Sequence, residues 1–210
     1  MKRVLSAILA FGLFVSAPVS VFASEWAATA AKLRQSIVFV QIGSAGSCTG
    51  FVIDNERDYV LTAAHCDVKG EEHYVDLAPA KIVAKDTKND LMVLKVEGID
   101  RPALKLAKAN PKVGDEVASY GFGFGLEQAL FRQAHVSAVD VNINGNGGIG
   151  NYVGLDANFI PGQSGGPVVN PANEVVMLVQ LGSSAGVGLG VGVDTIREKV
   201  GRYFTGGEKK

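Results

Sequence analysis

The amino-acid sequence predicts an all-β fold, either a barrel or a sandwich. From Ser36 onward, about ten short runs of alternating or β-branched residues follow one another, and glycine, asparagine or proline separates most of them. Apolar residues make up 47% of the 210 residues and charged residues 20%, a balance that supports a buried core and excludes a disordered chain.

The first 23 residues have the pattern of a secretory signal peptide. Lys2 and Arg3 precede an apolar run at 4–15, and residues 21–23 offer a small-residue cleavage site before Ser24. The apolar run is about a dozen residues long, whereas a helix needs roughly 20 to span a bilayer, so we expect no stable membrane anchor. We therefore expect the protein to be secreted or periplasmic.

Two helices are expected to flank the strands. Trp26, Ala30 and Leu33 have helical spacing, which predicts a short amphipathic helix over 24–35 that packs on the domain. Asp194-Thr195 resembles an N-cap before a closing helix through Tyr203, and a polar tail is expected at 205–210. Strands are predicted between them at 37–42, 50–53, 59–63, 82–85, 91–96, 116–120, 134–141, 152–155, 175–181 and 189–193.

One domain is expected over 36–204, with a seam between two halves at about 99–114. Pro102 and Pro111 interrupt the strand pattern at this seam. Nineteen of the 26 glycines lie after residue 120, and valine, leucine and isoleucine interleave with them. We therefore expect bent strands in the second half rather than a flexible linker.

The charge of the chain argues against nucleic acid as a ligand, and the spacing of its histidines argues against a metal ion. The formal net charge is −1 and the basic residues are dispersed, so nothing favours nucleic acid. His65, His73 and His135 lack the spacing of metal ligands, and we expect neither a metal nor a cofactor.

The two cysteines, Cys48 and Cys66, predict one disulfide bridge in an exported protein. An even number of cysteines in an oxidising compartment favours pairing. The bridge would close a loop of about 18 residues and contribute about 3 kcal/mol in the chain-entropy model. Two separate buried thiols are the alternative.

The segment 162–167, Gly-Gln-Ser-Gly-Gly-Pro, is the strongest candidate for a reactive site. Glycines on both sides of Ser164 let a carbonyl group approach the backbone, and the amides of Gly162 and Ser164 are candidates for an oxyanion hole. The alternative is a glycine-rich turn with a surface serine. The segment also fits the G-x-S-x-G pattern of α/β-hydrolases, but in that fold the histidine follows the serine. All three histidines here precede Ser164, which leaves the order His, Asp, Ser.

The partners of Ser164 are chosen by their context. His65 ends an apolar predicted strand beside Cys66, so the backbone would hold a general base rigidly at this position. His73, in contrast, lies in a charged stretch that we expect at the surface. His135 is expected to be a structural histidine within a strand. Asp90 opens an apolar strand and is the best candidate for the acid that orients the base. Spacing alone leaves open that Asp90 only forms a turn.

Three blocks of this sequence resemble the catalytic blocks of trypsin-like serine proteases, in the same order. They are Thr-Ala-Ala-His-Cys at 62–66, Asn-Asp-Leu-Met-Val-Leu-Lys-Val at 89–96 and the segment 162–167. The second block and the Asp156-Ala157 pair are most similar to bacterial HtrA-like proteases. The resemblance implies a chymotrypsin-like double β-barrel with the active site between the barrels. It also implies an Asp90–His65–Ser164 triad that hydrolyses peptide bonds through an acyl-enzyme, with Cys48 and Cys66 where the family often has a bridge.

Two departures from the family limit what the resemblance implies. Gln163 stands where trypsins have an aspartate that pairs with a newly cut N-terminus, so we expect no such zymogen switch. The stretch after Val193 is too short for the PDZ domain of HtrA proteins, and none is expected.

Protein or peptide substrates are expected, whereas the oligomeric state is not predicted. By resemblance, the primary pocket is formed by 158–162 on one side and by 180–184 with 189–193 on the other, and Asn158, Phe159, Gln180 and Gly182 are its candidate residues. These segments are mostly neutral, so we expect a preference for small or apolar side chains at the P1 position. A protease fold that has lost catalysis and serves as a binding or scaffolding module is the alternative function.

Overall fold

The computed structural model describes residues 25–142, 152–183 and 186–205. The fold consists of two β-barrels with a short helix at each end of the described chain. The predicted signal peptide, the residues 143–151 and 184–185, and the predicted tail from 206 onward lie outside the described residues. No helix among the described residues is long and apolar enough to cross a membrane.

Helix α1, Glu25–Ser36, confirms the predicted N-terminal helix. Leu33 is fully buried against the first barrel's core, whereas Trp26 reaches the second barrel. The indole Nε1 of Trp26 donates a 3.3 Å hydrogen bond to Glu116, and its ring lies 6.5 Å from the ring of Phe131. The helix is therefore fixed to the protein at both of its ends.

The first barrel is closed and has six antiparallel strands, arranged in the order β1-β2-β3-β6-β5-β4. Closure leaves no unpaired strand edge, and the apolar runs fill the interior with side chains that are fully buried, such as Val38, Phe51 and Leu61. The strands are β1 Ile37–Ile42, β2 Gly46–Asp54, β3 Tyr59–Ala63, β4 His73–Val75, β5 Ala78–Asp86 and β6 Leu91–Val96.

The chain leaves the first barrel at Val96, and the first long strand of the second barrel begins at Glu116. Its strands run in the order β11-β8-β9-β10-β13-β12, and pairing between β11 and β12 closes the ring, while β7 joins β12 in parallel. The strands are β7 Lys105–Leu106, β8 Glu116–Phe122, β9 Ala129–Val141, β10 Tyr152–Leu155, β11 Pro167–Val169, β12 Glu174–Gly182 and β13 Gly188–Gly192. The all-β, double-barrel fold implied by the resemblance is confirmed.

The strand predictions were right where the apolar pattern is strong and wrong where a strand is short. Strands β1, β3, β6 and β10 have the predicted bounds, whereas β4, β7 and β11 were not predicted. His73 was expected at the surface, but it is only 7% exposed and pairs with Ile42 in the wall of the first barrel. Its Nε2 lies 3.3 Å from the carbonyl oxygen of Cys66 and 3.6 Å from Asp67, so two polar partners compensate for its burial.

The closing helix is shorter than predicted, and the predicted cap residue Asp194 lies inside its first turn. Helix α2, Val193–Val200, is followed by a 3₁₀ turn at Gly201–Tyr203. Asp194 does not cap it; instead the Asp194 amide donates a 3.0 Å hydrogen bond to Oδ1 of Asn110, from the segment between the barrels. The cap therefore comes from a residue 84 positions away, which local sequence could not indicate.

Candidate active site

His65 and Asp90 are brought together by the pairing of β3 with β6. These strands are antiparallel, with Ala63 opposite Leu91, so the residues after β3 lie beside the residue before β6. The Ala64 amide extends this pairing by donating a 3.1 Å hydrogen bond to the carbonyl oxygen of Asp90. The two candidate residues therefore meet at one end of the first barrel.

Both carboxylate oxygens of Asp90 contact His65. Oδ2 lies 2.7 Å from the ring Nδ1, and Oδ1 accepts a 2.6 Å hydrogen bond from the His65 backbone amide. Asp90 has a φ of +54°, a left-handed conformation that aspartate tolerates better than most residues. Because Asp90 occupies Nδ1, Nε2 is the ring nitrogen left for proton transfer.

The turn before Asp90 is fixed by a second carboxylate. Asp86 accepts hydrogen bonds from the Asn89 amide at 3.0 Å and from its side-chain nitrogen at 2.7 Å. Partial burial works to raise the pKa of Asp86, but these hydrogen bonds outweigh it and leave the pKa below its ordinary value. Burial raises the pKa of Tyr152, and the negative charge of Asp90 raises it further.

Thr49, on β2, holds residues 161–166, which contain the candidate nucleophile Ser164 and which we call the nucleophile loop. Its amide donates to the carbonyl oxygen of Ser164 at 2.9 Å, and its hydroxyl donates to the carbonyl oxygen of Gly162 at 2.8 Å. The same hydroxyl accepts a 2.8 Å hydrogen bond from the amide of Phe122, at the end of β8. Thr49 is fully buried, and sequence reasoning missed it because nothing local marks this threonine.

The glycine at position 165 is required by its surroundings. Its φ is +82°, and a Cβ there would lie 2.3 Å from both the Thr49 carbonyl oxygen and Thr62 Oγ1. It would also lie 2.7 Å from the amide nitrogen of Ala63, two residues before His65. The nucleophile loop therefore packs directly on β3, the strand that leads into the turn containing the candidate base.

The amides of Gly162 and Ser164 are the candidates for the oxyanion hole. Across the described ranges, neither amide donates a hydrogen bond, whereas the neighbouring amides of Gln163 and Gly165 donate to Ile160 and Val179. Gln163 itself turns inward, is 2% exposed, and accepts a 3.1 Å hydrogen bond from the Ile160 amide. The Gln163 side chain therefore stabilises the turn that precedes Ser164.

The hydroxyl of Ser164 donates to the carbonyl oxygen of Gln180 at 3.3 Å. Within the part of the chain that the structure describes, no hydrogen bond joins Ser164 to His65. The structure thus joins Asp90 to His65 and seats Ser164 on the neighbouring loop, with its hydroxyl turned to β12.

Gln180 links the two halves of the site. Its carbonyl oxygen holds the Ser164 hydroxyl, while its buried side chain reaches across to the first barrel and donates a 3.2 Å hydrogen bond to the carbonyl oxygen of Asn89. Its Oε1 is buried without a partner among the described residues. The side chain therefore points to the residue before Asp90 rather than toward Asn158 and Phe159.

The other candidate pocket residues lie against one another. A Cβ on Gly182 would be 1.9 Å from the Phe159 carbonyl oxygen and 2.6 Å from Asn158 Oδ1, so the two expected walls are in contact here. On Gly188, a Cβ would be 2.5 Å from the carbonyl oxygen of Ala157. Ser184, part of one expected wall, lies outside the described residues.

His135 and Asp156 form a second histidine–carboxylate pair, on the second barrel. Asp156 accepts a 2.6 Å hydrogen bond from the His135 amide, and its other oxygen lies 3.2 Å from Nδ1. The hydrogen bond from the His135 amide is the main cause that lowers the pKa of Asp156. Both side chains are at least half exposed, and the pair joins the end of β10 to β9.

The disulfide bridge between Cys48 and Cys66 is present, as the sequence predicts. It connects β2 to the 3₁₀ turn Ala64–Cys66, which contains His65, across a Cα–Cα distance of 6.4 Å. Thr49 and His65 are the immediate chain neighbours of the two cysteines. The bridge therefore holds the backbone next to Thr49, which binds the nucleophile loop, close to the backbone next to His65, the candidate base.

Comparison with known proteins identifies the family. Residues 48–177 match the family model described as the trypsin-like peptidase domain, which covers more than half of the chain. The chain belongs to the trypsin-like peptidase family. A protein named probable periplasmic serine endoprotease DegP-like, from Pseudomonas fluorescens, is 31% identical over 171 residues, which are 76% of this chain and 35% of that protein. A protein of the same name from Hahella chejuensis is 34% identical over 72% of this chain and 34% of its own length.

Solved structures of low identity share the fold of this trypsin-like peptidase. The Rv3671c protease from M. tuberculosis, in its active form, superposes with a TM-score of 0.73 at 21% identity and covers 99% of this chain and 96% of its own. The serine endoprotease from Yersinia pestis has a TM-score of 0.71 at 22% identity, over 82% of this chain and 64% of that chain. The present chain spans about a third of the length of the curated relatives it matches.

Proposed function

We propose that this protein is a serine endopeptidase that hydrolyses protein or peptide substrates with Ser164 as nucleophile, His65 as base and Asp90 as orienting acid. The observation that carries the proposal is the double contact of Asp90 with His65, at 2.7 Å to the ring and 2.6 Å to the backbone. This contact fixes the ring and its tautomer, which is the task of the acid in a triad.

The expected reaction has two halves that use the same groups. Ser164 Oγ attacks the carbonyl carbon of the scissile bond while its proton passes to His65 Nε2, and the developing oxyanion is met by the amides of Gly162 and Ser164. His65 then gives that proton to the leaving amine as the C–N bond breaks, which leaves an ester on Ser164. A water molecule, deprotonated by His65, hydrolyses the ester and restores the serine.

The proton transfer requires the Ser164 hydroxyl to leave the carbonyl oxygen of Gln180. This 3.3 Å hydrogen bond is long, so its loss costs little, on the order of 1 kcal/mol net. Substrate must also enter between the two expected walls of the primary pocket, which are in contact where Gly182 meets Phe159. We therefore expect substrate binding to accompany a local opening of this contact.

We propose a preference for small or apolar side chains at the P1 position. Asn158 and Phe159 are neutral, and the buried Oδ1 of Asn158 has no hydrogen-bond partner among the described residues. The described residues of the expected pocket segments, 158–162, 180–183 and 189–193, include no carboxylate that could attract a lysine or arginine. Digestion of a proteome-derived peptide library tests this, and cleavage mainly after lysine or arginine would contradict it.

We propose a periplasmic or secreted location for the enzyme. The relatives named as periplasmic endoproteases and the disulfide bridge support an oxidising compartment. Fractionation of cells that express the full chain, followed by detection in the periplasm or medium, tests the location. Accumulation in the cytoplasm with reduced thiols would contradict it.

A serine-directed fluorophosphonate tests the proposed nucleophile. We expect wild-type protein to be labelled on Ser164 and the Ser164→Ala variant to remain unlabelled. Ser137, an exposed serine on β9, offers a matched control, because Ser137→Ala should be labelled like the wild type. Labelling that persists in Ser164→Ala would overturn the proposal.

A binding or scaffolding module is the second candidate function. The contact at Gly182 and the Ser164 hydroxyl held by Gln180 favour it, since both describe a site that is not poised for attack. Purified protein that binds a protein partner but reacts with no fluorophosphonate, even in the presence of substrate peptides, would favour this function over hydrolysis.

A further inference from the structure

His73 is a buried titratable residue that the proposed reaction does not use. It lies on β4, where it pairs with Ile42 of β1 and Ala80 of β5, and only 6% of its side chain is exposed. A buried polar ring costs free energy unless it is hydrogen-bonded, whereas a leucine or valine would fill the same place without that cost. The partners of the His73 ring therefore indicate what this residue does.

The ring of His73 contacts the end of the turn that contains His65. Its Nε2 lies 3.3 Å from the carbonyl oxygen of Cys66 and 3.6 Å from Oδ1 of Asp67. Both of these oxygens are acceptors, so Nε2 carries a hydrogen whether the ring is neutral or charged. His73 therefore donates a hydrogen bond to the residue that follows His65.

We propose that His73 is a positioning residue for His65, because its hydrogen bond fixes the carbonyl end of the turn Ala64–Cys66. This inference rests on the proposed function, in which His65 is the base. Among the described residues, the polar partners of the His73 Nε2 are Cys66 and Asp67, so its effect on His65 passes through the backbone of the turn.

The turn is held at three places, and His73 supplies the last of them. Before the candidate base, the Ala64 amide donates a 3.1 Å hydrogen bond to the carbonyl oxygen of Asp90. After the base, the disulfide attaches the sulfur of Cys66 to β2. An attachment through the sulfur alone leaves the peptide group of Cys66 able to tilt about the side-chain bonds. The hydrogen bond from His73 to the carbonyl oxygen opposes this tilt.

Asp67 strengthens the contact between His73 and the turn. Its amide closes the turn by donating a 3.1 Å hydrogen bond to the carbonyl oxygen of Ala64. Its Oδ2 lies 2.5 Å from Nζ of Lys85 on β5, while Oδ1 faces Nε2 of His73. The Asp67 carboxylate therefore joins both β4 and β5 to the end of the turn.

The position of the His65 ring depends on this turn. In the proposed reaction Nε2 of His65 receives the proton of Ser164, while Asp90 holds Nδ1 at 2.7 Å. A tilt of the turn moves the ring relative to both partners, and a misplacement of about 1 Å can cost on the order of 10²-fold in rate. We therefore expect loss of the His73 hydrogen bond to lower kcat by about tenfold and to leave KM nearly unchanged.

Three variants distinguish positioning from a general loss of stability. His73→Leu fills the space but cannot donate, and His73→Gln keeps a donor near the place of Nε2. Val75→Ala removes buried volume two residues further along the same strand. We expect His73→Leu to lose kcat and the rate of fluorophosphonate labelling by about tenfold, while the other two variants keep most of both. If His73→Leu does not fold, His73→Met, with a flexible side chain of similar volume, takes its place.

Amide hydrogen exchange, followed by NMR, tests the same point without hydrolysis. The amides of Ala64, His65 and Asp67 donate the hydrogen bonds that define the turn. We expect these amides to exchange about tenfold faster in His73→Leu than in wild type, and at nearly the wild-type rate in His73→Gln. In Val75→Ala, any faster exchange should extend over the first barrel instead of being concentrated at the turn.

Three results would overturn the proposal. One is a folded His73→Leu variant with wild-type kcat and wild-type exchange at the turn. The second is a His73→Gln variant as impaired as His73→Leu. The third is an equal loss of kcat in Val75→Ala, which would assign the effect to stability alone. If wild type neither hydrolyses peptides nor reacts with a fluorophosphonate, the proposed function fails, but exchange at the turn amides still decides whether His73 holds the turn.

Discussion

The hydroxyl of Thr49 donates a 2.8 Å hydrogen bond to the carbonyl oxygen of Gly162, 113 residues further along the chain. Thr49 belongs to the first barrel and Gly162 to the nucleophile loop of the second. The Thr49 hydroxyl oxygen also accepts a hydrogen bond from the Phe122 amide, so one buried hydroxyl joins three segments at the seam between the barrels. Thr49 is therefore a positioning residue for Ser164 and its neighbouring amides.

Thr49→Val should lower both stability and activity. Valine has a similar shape but leaves the Gly162 carbonyl and the Phe122 amide without their partner in a buried place, which costs about 1–3 kcal/mol of unfolding free energy. We also expect kcat/KM to fall by about 10- to 100-fold, because small displacements of a reacting group are costly. Urea unfolding and peptide hydrolysis measure both quantities. Thr49→Ser, which keeps the hydroxyl, should restore most of each, and a valine variant that behaves like wild type would contradict this role.

Gly165→Ala should be far more damaging than the same change at Gly98. Both glycines have left-handed φ values, +82° and +76°, so the backbone strain of roughly 1–2 kcal/mol is common to both. At Gly98 no atom lies within 4 Å of the added methyl, whereas at Gly165 the methyl would lie 2.3 Å from the Thr49 carbonyl oxygen. We expect Gly98→Ala to remain active and Gly165→Ala to be inactive or unfolded, as judged by hydrolysis and thermal melting. Equal effects of the two changes would contradict the close packing of the loop on β3.

The Gln180→Met variant distinguishes two roles of the Gln180 side chain. One is to position the turn that carries Asp90, and the other is to line the substrate pocket. Methionine fills a similar volume but cannot donate to the Asn89 carbonyl, while the main-chain bond to Ser164 is unaffected. If Gln180 positions the turn that carries Asp90, kcat should fall by about tenfold with KM unchanged. A raised KM with kcat unchanged would instead indicate that the side chain lines the substrate pocket, as its place in the family pattern implies. Steady-state kinetics on a short peptide distinguish the two results.

Asp86 should contribute stability that depends on pH. Its pKa is lowered in the folded protein, where Asn89 donates to the carboxylate, so the folded state binds a proton less readily than the unfolded state. The contribution is therefore complete above the unfolded pKa, near 3.8, and is lost as the pH falls through the lower folded pKa. We expect the gap in unfolding free energy between wild type and Asp86→Ala to be constant above about pH 5 and to shrink toward about pH 3. A gap that does not change across urea titrations in this range would contradict the assignment.

Much of the barrel architecture could be predicted because it depends on local pattern. Strands β1, β3, β6 and β10 contain continuous apolar or alternating runs, and their bounds follow from the sequence. Strands β4, β7 and β11 are two or three residues long and exist because a neighbouring strand pairs with them. The burial of His73 has the same cause, since only the pairing of β4 with β1 places it in the barrel wall.

The candidate site also has some residues that the local sequence pattern predicts and some contacts that it does not. His65 could be predicted because it follows a strong strand, whereas Asp90, which precedes another, is distinguished from a turn residue only by the family resemblance. Antiparallel pairing brings these two strand ends together. Thr49, the side-chain direction of Gln180 and the contact between Phe159 and Gly182 join segments far apart in sequence. Nothing in the residues around them signals these contacts. The first two are fixed only when the two barrels pack, and the third only when the second barrel folds.

Hydrolysis of a peptide substrate by wild type, Ser164→Ala, His65→Ala and the double variant is the decisive measurement for a triad at this site. Residues that act as one catalytic unit are not additive, so we predict that each single variant and the double variant lose kcat by a similar factor, on the order of 10⁶. Circular dichroism confirms that each variant is folded. A folded Ser164→Ala variant that keeps a substantial share of wild-type kcat, or losses that multiply in the double variant, would contradict a triad of Asp90, His65 and Ser164.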